Sequence, residues 1–533
     1  MRIPFGRSFP PRSGSLSDLP QRAARVHGST RVFLAEPLGV CPSIGLEPTH
    51  HDLAALIRDL AGWLGSEGIQ PGQAVAVCKQ NNFDIILLAC ALASLGAVPA
   101  LISPGNEPDA MKVMLDRLRP DAIIADAAAR GRMGISLDGI SCIDVDPEAV
   151  YRSRSKGFQA PLVTRAPEDV ALITHTSGTT GVPKLVAHSG SSLYGQARVQ
   201  VPLGAMAVRR KELLAGCLPW FHVRSVVAYM GIALMGNPVL AISNPEPKKV
   251  KDLLLRHRPR YLEAYPNAFE NWEVLTDDPA EPFSSVRLYL STFDAAHPRT
   301  IRTLLNAAKT RFPIYAQIYA QSESGGVTFR LYGRRSVRRR LKGRNVGRRI
   351  WPYTKVRIVD PATRQPLGFG EVGAIQAKSV GLCVTYVGQE DLAAAQKQDS
   401  WWEMGDMGRM SRFGSLQLLD RAVDQIPGVE SCLKLEDELL DLLPCCAEVV
   451  IVPLSGASPV GVLSLKPGAP REEGSWRLAA ERFGLAPEPL VFGCDEIPRT
   501  ATGKVRRKVL EELVLERLQS PSSPTGCPFP ETI

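Results

Sequence analysis

At 533 residues the chain is too long for one ordinary core, so two or more domains are expected. With 44% hydrophobic and 22% charged residues its composition is globular, which excludes a largely disordered chain. The formal charge of +9 is local, because Arg330–Arg349 holds nine arginines, one lysine and no acid, and the rest is nearly balanced.

Residues 1–30 read as an N-terminal extension. "MRIPFGRSFPPRSGS" is basic but has no apolar core, so no secretory signal is expected and the chain is assigned to the cytoplasm. "HDLAALIRDLAGWLGSEG" repeats apolar residues at helical spacing and stops at glycine. A short strand "AVAVCK", a helix over 84–95, a strand "AVPALIS", a helix over 111–118 and a strand "DAIIAD" follow. The longest apolar run, Ile85 to Ala93, soon meets Ser94, Gly96 and Pro99, which predicts a buried helix and then a strand, not a membrane span. This is an α/β rhythm with crossover helices. It resumes in "PVLAIS", "VKDLLLRHRP" and "RLYLSTFD".

From "AEVVIVPL" onward the elements shrink into a compact module, with the boundary placed near "DRAVDQIPG". The Pro/Ser-rich end "SPSSPTGCPFPETI" reads as a disordered tail. Eleven cysteines lack metal-ligand spacing and read as buried thiols of a reducing compartment.

"HTSGTTGVPK", His175 to Lys184, follows the short strand "DVALIT". Open backbone N–H groups and an ammonium group suit phosphate oxygens. The Walker pattern fails, because Val182 and Pro183 separate Gly181 from Lys184. Taken alone, the loop reads equally as a nucleotide site or a flexible turn.

Further motifs follow in order: "LPWFHV", "STFDAAHPR", "YAQSESGG", "GRNVGRRIWPYTKVRIVD", "GFGEVGAIQAKS", "EMGDMGRM", "DRAVDQI" and "PRTATGKVRRKVL". With the loop they resemble the adenylate-forming superfamily of acyl-CoA synthetases, aryl-CoA ligases, luciferases and adenylation domains, from Thr49 to Leu515. The resemblance implies a large multi-sheet α/β N-terminal domain (31–420), a hinge (421–425) pivoting at Val423, and a small mobile α+β C-terminal lid (426–515). Residues 516–533 would be the tail.

It also implies ATP and Mg²⁺, with a non-amino carboxylic acid attacking the α-phosphorus to give acyl-AMP and pyrophosphate. Thr176, Ser177, Gly178, Thr179, Thr180, Gly181 and Lys184 would hold phosphates. Glu323 would bind Mg²⁺, a hard ion suited to carboxylate oxygen. Asp294, Ala295, Tyr319 and Ser322 would contact the nucleotide, Tyr319 by stacking on adenine. Asp406 would bind the ribose hydroxyls, with Arg421 beside it. Phe221, His222, Phe293 and Tyr319 would line the acyl pocket, and His222 and Lys504 would be catalytic. Position 224 is Arg, and no aspartate follows His222 to pair with an amine, which argues against an α-amino acid.

The pattern departs at Leu185, Ala320, Met404, Val423 and Pro427. Pro427 fixes a dihedral beside the hinge, which leaves the acceptor open: CoA, the phosphopantetheine of an acyl carrier protein, an amine or an internal nucleophile. The Arg330–Arg349 run reads as a solvated loop, or as a dock for an acidic carrier protein or CoA phosphates; nucleic-acid binding rests on this run alone.

Overall fold

The computed structural model describes residues 2–3, 7–8, 15–134, 139–155, 163, 165–176, 181–209, 211–337, 344–421, 426, 429, 431–454, 457–466, 468–469, 473–493, 495–500 and 503–519. The chain divides into two compact units, one of residues 1–423 with 501–503, the other of 424–500 with 504–533. The architecture is mixed α/β with a large multi-sheet body.

In the first unit a seven-stranded sheet runs parallel through Val98–Leu101, Ala74–Cys78, Ala122–Ala125 and Ser141–Ile143. Its crossover helix Asp84–Ser94 is buried at every residue, which explains an apolar run without an amphipathic period. The next helix in toward the N-terminus, His50–Ser66, starts in a capping box between Thr49 and Asp52, satisfying two of the otherwise orphaned first-turn donors. The expected extension is partly structural. Helix Leu19–His27 buries Leu19, Ala23 and Ala24, so residues after 15 join the large unit's core.

The elements that carry the site are, in chain order, β1 (Val170–His175), β2 (Leu185–Ser189), α1 (Gly190–Ala207), α2 (Val223–Met235), β3 (Tyr261–Ala264), β4 (Leu288–Ser291), β5 (Ile314–Gln321), β6 (Gly325–Gly333), β7 (Thr385–Tyr386), β8 (Trp401–Met410) and β9 (Ser415–Arg421). β1, β2 and β7 complete the seven-stranded sheet, pairing β1 to β2 and β2 to β7 antiparallel. β3, β4 and β5 are parallel neighbours in a second sheet of 13 strands, which turns antiparallel at β5–β6 and carries β8 and β9.

Two close approaches seat α1. A Cβ on Gly195 of α1 would lie 2.2 Å from the Val380 carbonyl, and one on Gly325 would lie 2.7 Å from Gln196. Glycine at 325 lets α1 press against the turn that holds Ser322 and Glu323, and glycine at 195 lets α1 approach the main chain at Val380.

The second unit packs helix Cys432–Leu442 and helix Glu473–Phe483 on a three-stranded sheet, Cys446–Leu454, Ala457–Leu465 and Leu490–Val491. Its last helix, Arg507–Gln519, runs past the expected start of the tail at 516, carried by the buried Leu510 and Val514. Residues 520–533, the remainder of that expected tail, lie outside the described residues, as do Val423 and Pro427. No helix among the described residues is long and apolar enough to cross a membrane.

Candidate active site

β1 delivers the loop that begins at Thr176. The Thr176 N–H donates to the Lys184 carbonyl at 2.9 Å, and the Lys184 N–H donates to Thr176 Oγ1 at 3.0 Å. These bonds close the loop at its base. Gly181 is exposed with φ +147; Ser177, Gly178, Thr179 and Thr180 lie outside the described residues. Just before the loop, Ser103 donates its N–H to His175 Nε2 at 3.1 Å, so the ring proton sits on Nδ1 and is donated to the Thr176 carbonyl at 2.8 Å. His175 stacks on Phe221 at 5.6 Å, and burial holds its pKa below the ordinary value.

The Lys184 ammonium lies 4.9 Å from the centre of the Tyr386 ring, within cation–π range. Tyr386 is brought there by its pairing with Val186 across β2 and β7. Its hydroxyl donates to Glu323 Oε1 at 2.6 Å. Burial first, and the Glu323 carboxylate second, push that hydroxyl far above its usual pKa, so it stays a donor. The structure thus joins Lys184 and Glu323 through Tyr386, a residue the sequence reading missed. Glu323 is buried, and its Oε2 is outside these bonds. A buried hard oxygen of this kind fits a Mg²⁺ ligand.

On the other flank of the turn, Tyr319 donates its hydroxyl to Asp406 Oδ2. Asp406 faces Arg421 across β8 and β9, with Arg421 Nε 3.9 Å from Asp406 Oδ1. Gln321 donates to the Met404 carbonyl. These bonds bring Tyr319, Asp406 and Arg421 together. Asp294 is exposed and caps its own turn, accepting from the Ala295 N–H at 2.8 Å.

His222 is the N-cap of α2. Its Nδ1 accepts the Arg224 N–H at 3.0 Å, so the neutral ring carries its proton on Nε2, which faces Ser322 Oγ at 3.0 Å. Phe293 packs edge-on against the same ring at 4.8 Å, with φ +81. A bulky residue held there stores on the order of 1–3 kcal/mol of strain.

Two residues past His222, under the first turns of α2, lies a cavity of about 170 Å³. Apolar side chains such as Leu214, Ala228, Ile232 and Leu290 line most of it. Its polar end is an ion pair, Arg224 on Glu263, that sequence reading also missed. The alternation in "RYLEA" does not distinguish an inward acid from an outward one.

In the second unit, Lys504 donates its N–H to Thr500 Oγ1 at 3.1 Å and accepts the Thr500 N–H at 2.8 Å, which closes the "RTATGK" loop. Arg507 holds Glu436 with two bonds of 2.8 Å. Part of the arginine run also has internal work: Arg334 donates to the carbonyls of Leu305, Ala308 and Thr310 at the end of helix Pro298–Ala307. Residues 338–343 of the run lie outside the described residues.

The sequence matches the AMP-binding enzyme family over residues 21–387. The chain belongs to this family of adenylate-forming enzymes. It is 36% identical to 3-amino-2-hydroxy-4-methoxybenzoate diazotase of Streptomyces cremeus, covering 94% of this chain and 95% of that protein. It is 26% identical to the long-chain-fatty-acid–CoA ligase FadD13 of Mycobacterium tuberculosis, covering 88% of this chain and 94% of that protein. The fold is that of ATP-bound MatB from Rhodopseudomonas palustris, at TM-score 0.79 and 19% identity, over 95% of this chain and 100% of that one.

Proposed function

We propose that this enzyme uses ATP to adenylate a small oxyanion and passes the activated group to an amine on a single aromatic ring, as a diazotase. The cavity carries this reading. At about 170 Å³ it is of the size that holds one benzene-like ring, for which a dry cavity of about 150 Å³ suffices. A long acyl chain does not fit it. The 36% identical diazotase supports the same reading.

Nitrite is the oxyanion that matches both the family chemistry and the product. Like a carboxylate it offers a charged oxygen bonded to an electrophilic centre. That oxygen attacks the α-phosphorus of ATP as pyrophosphate leaves. The aryl amine then attacks the nitrogen, AMP departs, and one proton is lost to give Ar–NH–N=O. Tautomerisation and loss of hydroxide yield the diazonium ion.

In this scheme Thr176 to Lys184 grip the departing phosphates, with Ser177, Gly178, Thr179 and Thr180 supplying the loop donors. Glu323 would hold Mg²⁺, which offsets charge on the phosphates. Tyr319, Ser322, Asp406 and Arg421 hold the nucleoside side, next to Asp294 and Ala295. His222 offers its Nε2–H to the oxyanion, while Phe221 and Phe293 fix its surroundings. Lys504 reaches the α-phosphate through movement about a hinge at Val423.

A second reading, acyl-AMP formation from a carboxylic acid and transfer to CoA or to a carrier-protein thiol, draws on the 26% identical CoA ligase. One panel separates the two. The enzyme is given ATP, Mg²⁺ and aromatic amines with and without nitrite, then aromatic acids with CoA. Nitrite-dependent AMP release, with a diazonium product trapped as an azo dye, is expected. Thioester formation without any nitrite dependence would replace this proposal with the second reading.

A further inference from the structure

The polar end of the cavity includes none of the residues assigned above to phosphate, metal or nucleotide. Arg224 Nε donates to Glu263 Oε1 at 2.6 Å, and Nη2 donates to Oε2 at 2.7 Å. Tyr261 donates its hydroxyl to Oε2 at 2.6 Å, and Thr292 donates to Oε1 at 3.2 Å. Each carboxylate oxygen therefore accepts two bonds, which fills its capacity. Glu263 is only 2% exposed. It has no lone pair left for a substrate ammonium, so the acid in this pocket is not an amine-binding acid.

Arg224 is different. Its Nη1 donates to Gln200 Oε1, and with the pair to Glu263 and a bond to Tyr261 this occupies four of its five N–H groups. The remaining one lies on a terminal nitrogen of a side chain that lines the cavity. The cavity is otherwise nearly all apolar, so this donor is where a ligand's polar group finds a partner.

We infer that Arg224 determines specificity: its remaining N–H holds a neutral oxygen acceptor, a hydroxyl, ether or carbonyl, on the substrate ring. Glu263 is the positioning residue that fixes the guanidinium plane and cancels its charge. The inference rests on the single-ring reading above. Charge decides between acceptors. Arg224 and Glu263 together are neutral, so a ring carboxylate placed here adds a buried charge without a counterion, and that desolvation is costly. A neutral oxygen gains the charge-assisted bond without this penalty.

Binding to the full-length enzyme, without ATP or nitrite, tests this by isothermal titration calorimetry. The probes are 3-methoxyaniline, its oxygen-free counterpart 3-ethylaniline, and 3-aminobenzoate. The methoxy ring is expected to bind on the order of tenfold more tightly than the ethyl ring, and 3-aminobenzoate no better than the ethyl ring. Glu263→Gln leaves the Arg224 charge uncompensated and is expected to invert the order in favour of 3-aminobenzoate. The double variant Arg224→Met, Glu263→Leu removes both charges at similar volume, a change that folds tolerate. It is expected to bind methoxy and ethyl rings equally. Equal binding of those rings by the unaltered enzyme, or a preference that survives the double substitution, overturns the inference. No nucleotide or nitrite is present, so failure of the diazotase reading is scored separately, by the azo-dye panel.

Discussion

In the proposed site Tyr386 links the two residues assigned to the phosphates and Mg²⁺, Lys184 and Glu323. Its ring faces the Lys184 ammonium and its hydroxyl holds Glu323. Tyr386→Phe keeps the ring and removes one bond to a buried carboxylate, a change worth about 1–3 kcal/mol at the site. The Mg²⁺ concentration for half-maximal pyrophosphate exchange is expected to rise on the order of tenfold, with little change in unfolding temperature. An unchanged Mg²⁺ requirement would remove Tyr386 from the site. Lys184 and Glu323 stand out in the sequence because each sits in a dense motif of unusual composition. Tyr386 does not, because it lies in an ordinary strand and reaches the loop only through the Val186 pairing. Glu263 was hidden for a related reason. Arg224 in sequence reads as the lack of an acid, and only the parallel sheet brings the acid beside it.

At the scale of single elements, helices were the readable part. The His50–Ser66 helix announces itself by its apolar period and glycine stop, whereas the partners of each strand depend on long-range pairing that no local pattern encodes. That helix also supplies a pH prediction. His50 is buried, and burial first, then the neighbouring His27, lower its pKa from 6.5 to about 4. The folded pKa is depressed, so between about 4 and 6.5 the unfolded chain binds more protons and stability falls as pH falls. At pH 5 the cost is about 2 kcal/mol. His50→Gln is expected to flatten this part of the acid slope, read as the difference in urea midpoint between pH 7 and pH 5. An equal slope in both proteins would show that His50 does not titrate on unfolding. His222 illustrates the other use of a helix end: by capping α2 through Nδ1 it presents Nε2–H to the turn.

At the scale of the whole molecule, the chain divides into a large unit of residues 1–423 with 501–503 and a small one of 424–500 with 504–533, and the change in element size near "DRAVDQIPG" is the sequence feature that suggests a boundary there. The course of the termini was less legible: Leu19–His27 is a short amphipathic piece whose burial depends on surfaces made elsewhere, and Arg507–Gln519 is held by Leu510 and Val514 while its end from 515 is exposed. The small unit allows function and folding to be separated. The bonds that close the Thr500–Lys504 loop use the Lys504 main chain and Thr500 Oγ1. Lys504→Ala keeps all of them, so stability is expected to change by no more than about 0.5 kcal/mol. If Lys504 has the proposed role, pyrophosphate exchange is expected to fall on the order of a hundredfold. Arg507→Ala makes the opposite case. It strips the buried Glu436 carboxylate of its bidentate partner, a loss of about 3–5 kcal/mol, and should melt the small unit below the large one. Calorimetry should therefore show one early transition for Arg507→Ala and none for Lys504→Ala. Exchange that survives in Lys504→Ala while the unit stays folded would place the catalytic cation elsewhere.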